Sequence, residues 1–518
     1  MKKNQFIYTI LFICSLCATS CTQNEEITIT EGQSRLLINI TDTGIYNGNP
    51  TRATTDANYK THFEHGDQIG LYAIKAQRPI EGFNNVCLTY DEETKKWTAS
   101  GNSLPYNEEL EGATYYAYYP YNDNTSPEWD AEDPFAEIVN QWLISTEQSE
   151  KNYTQNDLMT GTGEVTKEGK DYTINLILNH RMAMVVIGFP IKTYQFKNEG
   201  MAPYQILSNN ITFSLGEEEQ KTPVTPYYDT TTNKYRLLIK PNTPYDIEGT
   251  FTFGSSEREF QISSTTGITE KTYALYTLTI DGKNEIIEDN YTLSIGDYYC
   301  ADGSLISGAT KELTEKQKTN IIGIIYNIGT TDKIQTDYPN CKHGLVYALK
   351  RAERITTESD NTEYANEYLA KWGSSKGSLD GAEPAYTDYL ARDENNVRGY
   401  EDTQYWLLAS NEGNKAVNTF LTPCLKEYKV KAPRSTTNWY VPSFAEFKII
   451  KNQETTLNTS LTKVGGEMIL EGLNVIEKQY FWTSTLRSGQ AVLLFDGTTT
   501  GQVGYIKSAY YYRFSLAF

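Results

Sequence analysis

The chain has 518 residues, 46 of them basic and 66 acidic, for a net charge of −20; that balance excludes the cationic faces that nucleic-acid phosphates require. Tyrosine is abundant, at 40 residues, and aromatic and β-branched side chains favour strands, so an all-β chain is the default expectation. The length leaves room for about three domains of ordinary size.

At the amino terminus, Lys2 and Lys3 precede an apolar stretch from Phe6 to Cys17, which has the length of a signal peptide. It is too short to span a bilayer, which takes about 20 apolar residues, and no later segment is apolar enough to do so. Ala18, Thr19 and Ser20 lead into Cys21. A cysteine directly after small residues fits a lipoprotein signal, so residues 1–20 are expected to be removed and Cys21 to carry the lipid. Ala18 stands where such signals usually carry Leu. The acidic run after Cys21 resembles signals for export to the outer face of the outer membrane. Four cysteines remain after processing: Cys87, Cys300, Cys341 and Cys424. Their wide spacing argues against a zinc site or a disulfide scaffold and leaves room for one bridge among the last three.

Residues 22–34 are polar and read as a tether. The run from Arg35 to Thr41 reads as a strand with Leu36, Ile38 and Ile40 on one face. The stretch from Asp42 to Thr54 is rich in Gly, Asn, Pro and Thr and reads as an exposed loop. Within it, Arg52–Ala53 is an accessible basic bond for a trypsin-like protease. Between residues 55 and 165, short β-type runs alternate with turns. Residues 88–90 and 97–99 flank the polar turn 91–96 as a hairpin, and the Tyr-rich run from Thr114 is ended by Pro120.

A second set of strands is expected at 172–178, 182–189, 211–215, 235–239, 250–253 and 273–280. This density of turn-punctuated strands predicts β-sandwiches. Helical periodicity is nearly absent there. Residues 283–290 read as a polar linker. Beyond it the texture is α+β: buried strands at 321–326 and 344–349, helices at 363–371 and 443–452, and a strand-like finish at 510–518.

The run Phe63-Glu64-His65-Gly66-Asp67-Gln68-Ile69-Gly70-Leu71-Tyr72, then Ala117-Tyr118-Tyr119-Pro120-Tyr121, Asp157-Leu158-Met159 and Leu178-Asn179-His180, resembles the fimbrillin-like family over roughly residues 35–280. That resemblance implies a secreted lipoprotein with two transthyretin-like β-sandwiches that builds or decorates type V pili. It also implies cleavage after an early-loop Arg, here Arg52. The cut would remove the first strand, with Leu36, Ile38 and Ile40, so that a strand from a neighbouring subunit fills the vacated groove.

Over roughly residues 290–518, Gly344 to Leu349, Trp439-Tyr440-Val441-Pro442-Ser443 with Glu446, Phe481-Trp482-Thr483-Ser484-Thr485 and the terminal Tyr512 to Phe518 resemble a C-type-lectin-like bacterial surface module. Phe514 stands where that family carries Pro.

Trp439, Glu446, Trp482 and Asp496 are the candidate ligand-binding residues of that module. Core aromatics and solvated carboxylates are the plainer reading of the four. His62, His65, His180 and His343 lack metal-site spacing, and His180 reads as a structural turn residue. No phosphate loop, nucleophile elbow or metalloprotease helix is present. The lectin-like fold also hosts formylglycine-generating enzymes, but the cysteines lack the spacing of their reactive pair. No enzyme activity, metal or cofactor is expected.

The resulting division is a signal peptide at 1–20, fimbrillin-like β-sandwiches at 21–165 and 166–285, and an α+β adhesive domain at 286–518. A chain whose carboxyl end is folded into a domain accepts a strand but donates none, which predicts a pilus tip or accessory subunit. Its partners would be other pilus subunits, glycans or proteins at the head, and the outer membrane through the lipid. The alternative from another class is a monomeric lipid-anchored glycan-binding protein, and a third is a membrane anchor subunit.

Overall fold

The computed structural model describes residues 34–47, 59–216, 221–254, 256–353, 369–371, 394–411, 421–469, 480–488, 491–497, 500–505 and 509–518. Cys21, Arg52 and Ala53 lie outside them. The chain is mainly β and forms two compact units.

The first unit holds a nine-stranded sheet. Its order is Lys96–Thr98, Val86–Asp91, Gln68–Lys75, Thr114–Tyr119, Met159–Glu168, Asp171–His180, Arg35–Asp42 and Leu104–Pro105, with Arg78–Pro79 pairing beside Gln68–Lys75. Outer strands alternate apolar and polar residues and turn one face inward, whereas Gln68–Lys75 is buried on both faces from Ile69 to Ile74. Trp97 at one end of the sheet and Leu36 and Leu104 at the other share a cluster with Leu71, Ala117 and Ile174. The sheet therefore folds over itself around one core. The expected hairpin is present, with Tyr90 opposite Trp97.

Close approach explains one glycine. A Cβ on Gly161 would sit 1.9 Å from the Ile177 carbonyl oxygen, so no side chain fits where these two strands meet.

A second sheet in this unit runs Tyr227–Asp229, Lys234–Ile239, Ala183–Gly188, Thr272–Thr277 and Tyr46–Asn47. Six buried residues in a row make up Ala183–Gly188, as a central strand covered on both faces requires. Two short helices, Ala136–Gln141 and Lys151–Asn156, interrupt a region whose sequence shows no helical period; six residues are too few to display one.

In the second unit, the sheet Leu305–Ile306, Tyr298–Cys300, Ile321–Ile328, Gly344–Ala348 and Ser515–Ala517 and the sheet Leu369–Lys371, Ala509–Tyr511, Phe481–Ser488, Ala491–Phe495 and Gln502–Tyr505 surround helices that include Phe444–Asn452 and Glu454–Val464. The helix expected at 443–452 forms with Ser443 as its N-cap. Its hydroxyl accepts from the Glu446 backbone N–H while the Glu446 carboxylate returns to the Ser443 backbone, a reciprocal capping box.

Three expectations need correction. Residues 369–371 of the expected helix at 363–371 form a strand against Ala509–Tyr511; its earlier part lies outside the described residues. The polar segment 283–290 contains a strand, Glu285–Glu288, parallel to Ile191–Tyr194. Pairing along a sheet edge fixes its backbone although Ile286 and Ile287, on opposite faces, give it no continuous apolar row. Cys300, Cys341 and Cys424 are buried thiols outside any disulfide, so no bridge joins them.

Candidate functional site

The first strand, Arg35–Asp42, is the element on which the sequence-based expectations converge. It runs parallel to Asp171–His180 from Leu36 opposite Tyr172 to Asp42 opposite Leu178, and its other edge meets Leu104–Pro105. Leu36 is 1% exposed, and Ile38 and Ile40 pack partly buried against the same cluster. Arg35 pairs with Asp171 at 3.3 Å in an exposed setting, which adds little to stability. Asn39 donates to Asn175 Oδ1 at 3.1 Å. Past its end the chain continues into the second sheet: Tyr46–Asn47 lies parallel to Thr272–Tyr273, and Ile45 pairs with Tyr59. One continuous stretch, residues 35–47, thus belongs to both of the sheets described above and precedes Arg52 in the chain.

Sequence reasoning gave His180 a turn role and missed what it does. Its side chain is 1% exposed and lies between two carboxylates: Nδ1 is 2.8 Å from Asp157 Oδ2, and Nε2 is 3.3 Å from Asp42 Oδ1. Burial by itself lowers an imidazole pKa, but Asp157 and Asp42 outweigh it and raise that of His180 to about 10. The ring is therefore an imidazolium that donates to both carboxylates. Asp42 is as well buried as His180, at 3% side-chain exposure. Burial raises its pKa, while His180 and the backbone N–H groups of Thr61 and Gly44 pull it lower, and the net shift is downward. Thr61 donates to Asp42 Oδ2 at 2.6 Å. The last residue of the first strand is thereby fixed to two other parts of the chain, at Thr61 and His180, and to Gly44 two residues on.

Beside this cluster is a cavity of about 670 Å³ whose wall includes His62, His65, His180, Tyr153, Tyr227 and Arg236. Three of the four histidines thus share one cavity. Among the described residues, no group of three or more His, Cys, Asp or Glu is placed to hold a metal ion.

In the second unit, the two tryptophan motifs come together. The Ser484 N–H donates to the Pro442 carbonyl at 2.9 Å, and the Phe444 N–H donates to Thr485 Oγ1 at 2.9 Å. Trp482 is fully buried and Trp439 is 6% exposed, both within one apolar cluster, so neither presents a free face to solvent. The indole of Trp439 donates to the Val430 carbonyl at 2.7 Å.

Glu446 is also buried. It accepts from Ser443 N at 2.7 Å, Gly399 N at 2.9 Å, Tyr440 OH at 2.9 Å and Tyr326 OH at 3.0 Å. Burial raises its pKa against these donors. Asp496, just past Ala491–Phe495, is partly exposed. Buried Trp406, whose indole donates to the Ser484 carbonyl at 3.4 Å, belongs to the same assembly; no local pattern around it marked it in the sequence.

The carboxyl-terminal strand is closed on both edges. Ser515–Ala517 pairs with Gly344–Ala348 on one side. On the other, Ser515 exchanges backbone bonds with Tyr440, and the Thr437 N–H reaches the Ala517 carbonyl at 2.9 Å. Phe518 is 0% exposed, with its ring 4.7 Å from that of Tyr299. Arg513 is buried too, donating to the carbonyls of Ala348 and Leu349 at 2.8 and 2.9 Å.

A sequence profile of the family described as fimbrillin-like matches residues 51–295. A Bacteroides ovatus protein that bears the name of a fimbrium tip subunit is 30% identical over 540 residues, covering 96% of each chain. A crystal structure of a fimbrial protein from Bacteroides ovatus is 27% identical and superposes with a TM-score of 0.65, covering 94% of this chain and 100% of that one. With a relative this similar along its whole length, the chain belongs to the fimbrillin-like family.

Proposed function

We propose that this protein is a fimbrial tip subunit: an adhesion protein carried to the cell surface, joined to the next subunit through its amino-terminal sandwich, with its carboxyl-terminal domain facing outward. The carboxyl-terminal strand carries this reading. A shaft subunit must release a strand for its neighbour, whereas Ser515–Ala517 is paired on both edges and followed by a buried Phe518. Withdrawing that strand would leave backbone groups and aromatic rings of the core without partners. The end-to-end similarity to a protein named for a fimbrium tip supports the same position.

The finer parts of the reading follow from the sequence. Cys21 carries the lipid during export and holds the precursor at the outer membrane. A trypsin-like protease cuts between Arg52 and Ala53, freeing the stretch that holds Leu36, Ile38 and Ile40, and a strand of the next subunit takes its place. The amino-terminal strands serve as transthyretin-like sandwiches and residues 286–518 as a C-type-lectin-like adhesive head for glycans or proteins. The protein acts by binding rather than by catalysis.

Immunogold labelling of purified fibres tests this. One copy at a fibre end is the expected result; label spread along the shaft rules the tip assignment out.

One observation favours a second reading, a monomeric lipid-anchored glycan-binding protein. Arg35–Asp42 is already paired within its own sheet over seven residue positions, Leu36 to Asp42, and a strand that stays there needs no donor. Amino-terminal sequencing of the surface form separates the two: a start at Ala53 supports strand replacement, and a start at Cys21 supports the monomer.

A further inference from the structure

We propose that the strand position held by Arg35–Asp42 selects its occupant by a carboxylate: a strand that replaces it must present an Asp side chain where Asp42 now stands, six residues after its first buried apolar residue. This rests on the strand-replacement reading above and adds the chemistry of the partner.

The argument concerns buried donors. Asp42 uses both carboxylate oxygens, Oδ1 towards His180 Nε2 at 3.3 Å and Oδ2 towards the Thr61 N–H at 2.6 Å. His180 and Thr61 both follow Arg52 in the chain, so they stay when residues 35–47 leave. Each would then hold a donor without an acceptor, and that of His180 is on a side chain 1% exposed. Buried unpaired donors weaken any complex that leaves them so, and a charged one weakens it most. Two converging donors, one of them cationic, match the two oxygens of a carboxylate. An amide offers one acceptor oxygen and no charge, an apolar side chain offers nothing, and a Lys or Arg sets like charge against the imidazolium.

Asp157 remains on the other side of the ring at 2.8 Å. His180 therefore keeps one counter-charge throughout, and the incoming carboxylate restores the second. Side chains two apart share a strand face, so Leu36, Ile38, Ile40 and Asp42 form one row. The pattern sought in a partner is apolar, any, apolar, any, apolar, any, Asp, running parallel to Asp171–His180.

The test uses the full mature chain cut at Arg52 by a trypsin-like protease and mixed with labelled synthetic peptides of residues 34–47. The native peptide is compared with D42A, D42N and D42K, and affinity is read by fluorescence anisotropy. Only the peptide changes, so the folding of the protein is the same in every arm. The native peptide is expected to bind, D42A to bind about 10- to 100-fold more weakly, the loss of hydrogen bonds to a charged group, D42N in between, and D42K weakest. Equal affinity for the native and D42A peptides overturns the carboxylate requirement while strand replacement stands. If Arg52 is not cut, or no peptide binds, strand replacement itself fails and the requirement goes with it.

Discussion

The charge set Asp42–His180–Asp157 makes the hold on the first strand depend on pH in a direction that can be worked out. The pKa of His180 in the folded protein is about 10, against an ordinary value of 6.5. Its contribution to stability is therefore complete below about 6.5 and is lost as pH rises through about 10. Asp42 is shifted the other way, below its ordinary value of 3.8, so its contribution is present above that value and is lost on acidification. The strand should be held best between about pH 4 and 6.5, above the ordinary value of Asp42 and below that of His180. Urea midpoints measured from pH 7 to 10.5 should fall more steeply for the unaltered protein than for H180Q; parallel curves would show that the ring is uncharged.

At pH 7, H180Q itself should cost about 3–5 kcal/mol, the range for removing one partner from a buried ion pair. At the capping box, S443A should cost about 0.5–2 kcal/mol through loss of the helix cap. Differential scanning calorimetry reads both.

Among the elements, the first strand is both part of the core and the segment proposed to leave. Leu36 is fully packed, so L36A should destabilise the first unit by about 2–5 kcal/mol. That effect should vanish once the strand has been replaced, and comparing precursor with fibre-bound protein measures the difference. R52A should leave precursor stability unchanged and block processing, seen as a surface form that still starts at Cys21. Between Met159–Glu168 and Asp171–His180, G161A forces a Cβ against the Ile177 carbonyl and should cost about 1–3 kcal/mol. Chemical denaturation followed by intrinsic fluorescence would register it.

For the whole molecule, the carboxyl-terminal strand unites the second unit. Tyr512, Arg513, Phe514, Leu516 and Phe518 are all buried. Removing residues 512–518 should abolish the near-ultraviolet circular dichroism of that unit; retention of the native signal would show that the strand is dispensable and free to be donated.

The sequence by itself determined the mainly β character, the hairpin at Tyr90 and Trp97, the capped helix after Ser443 and the first strand with its apolar face. Each depends on neighbours within a few residues, where alternation, turn chemistry and capping are written. Only the tertiary structure decided that Asp42 meets His180, 138 residues away, that Glu285–Glu288 joins a sheet, and that Glu446 lies inside. Buried charge and long-range pairing arise from which distant segments fold together, and no local period records that choice.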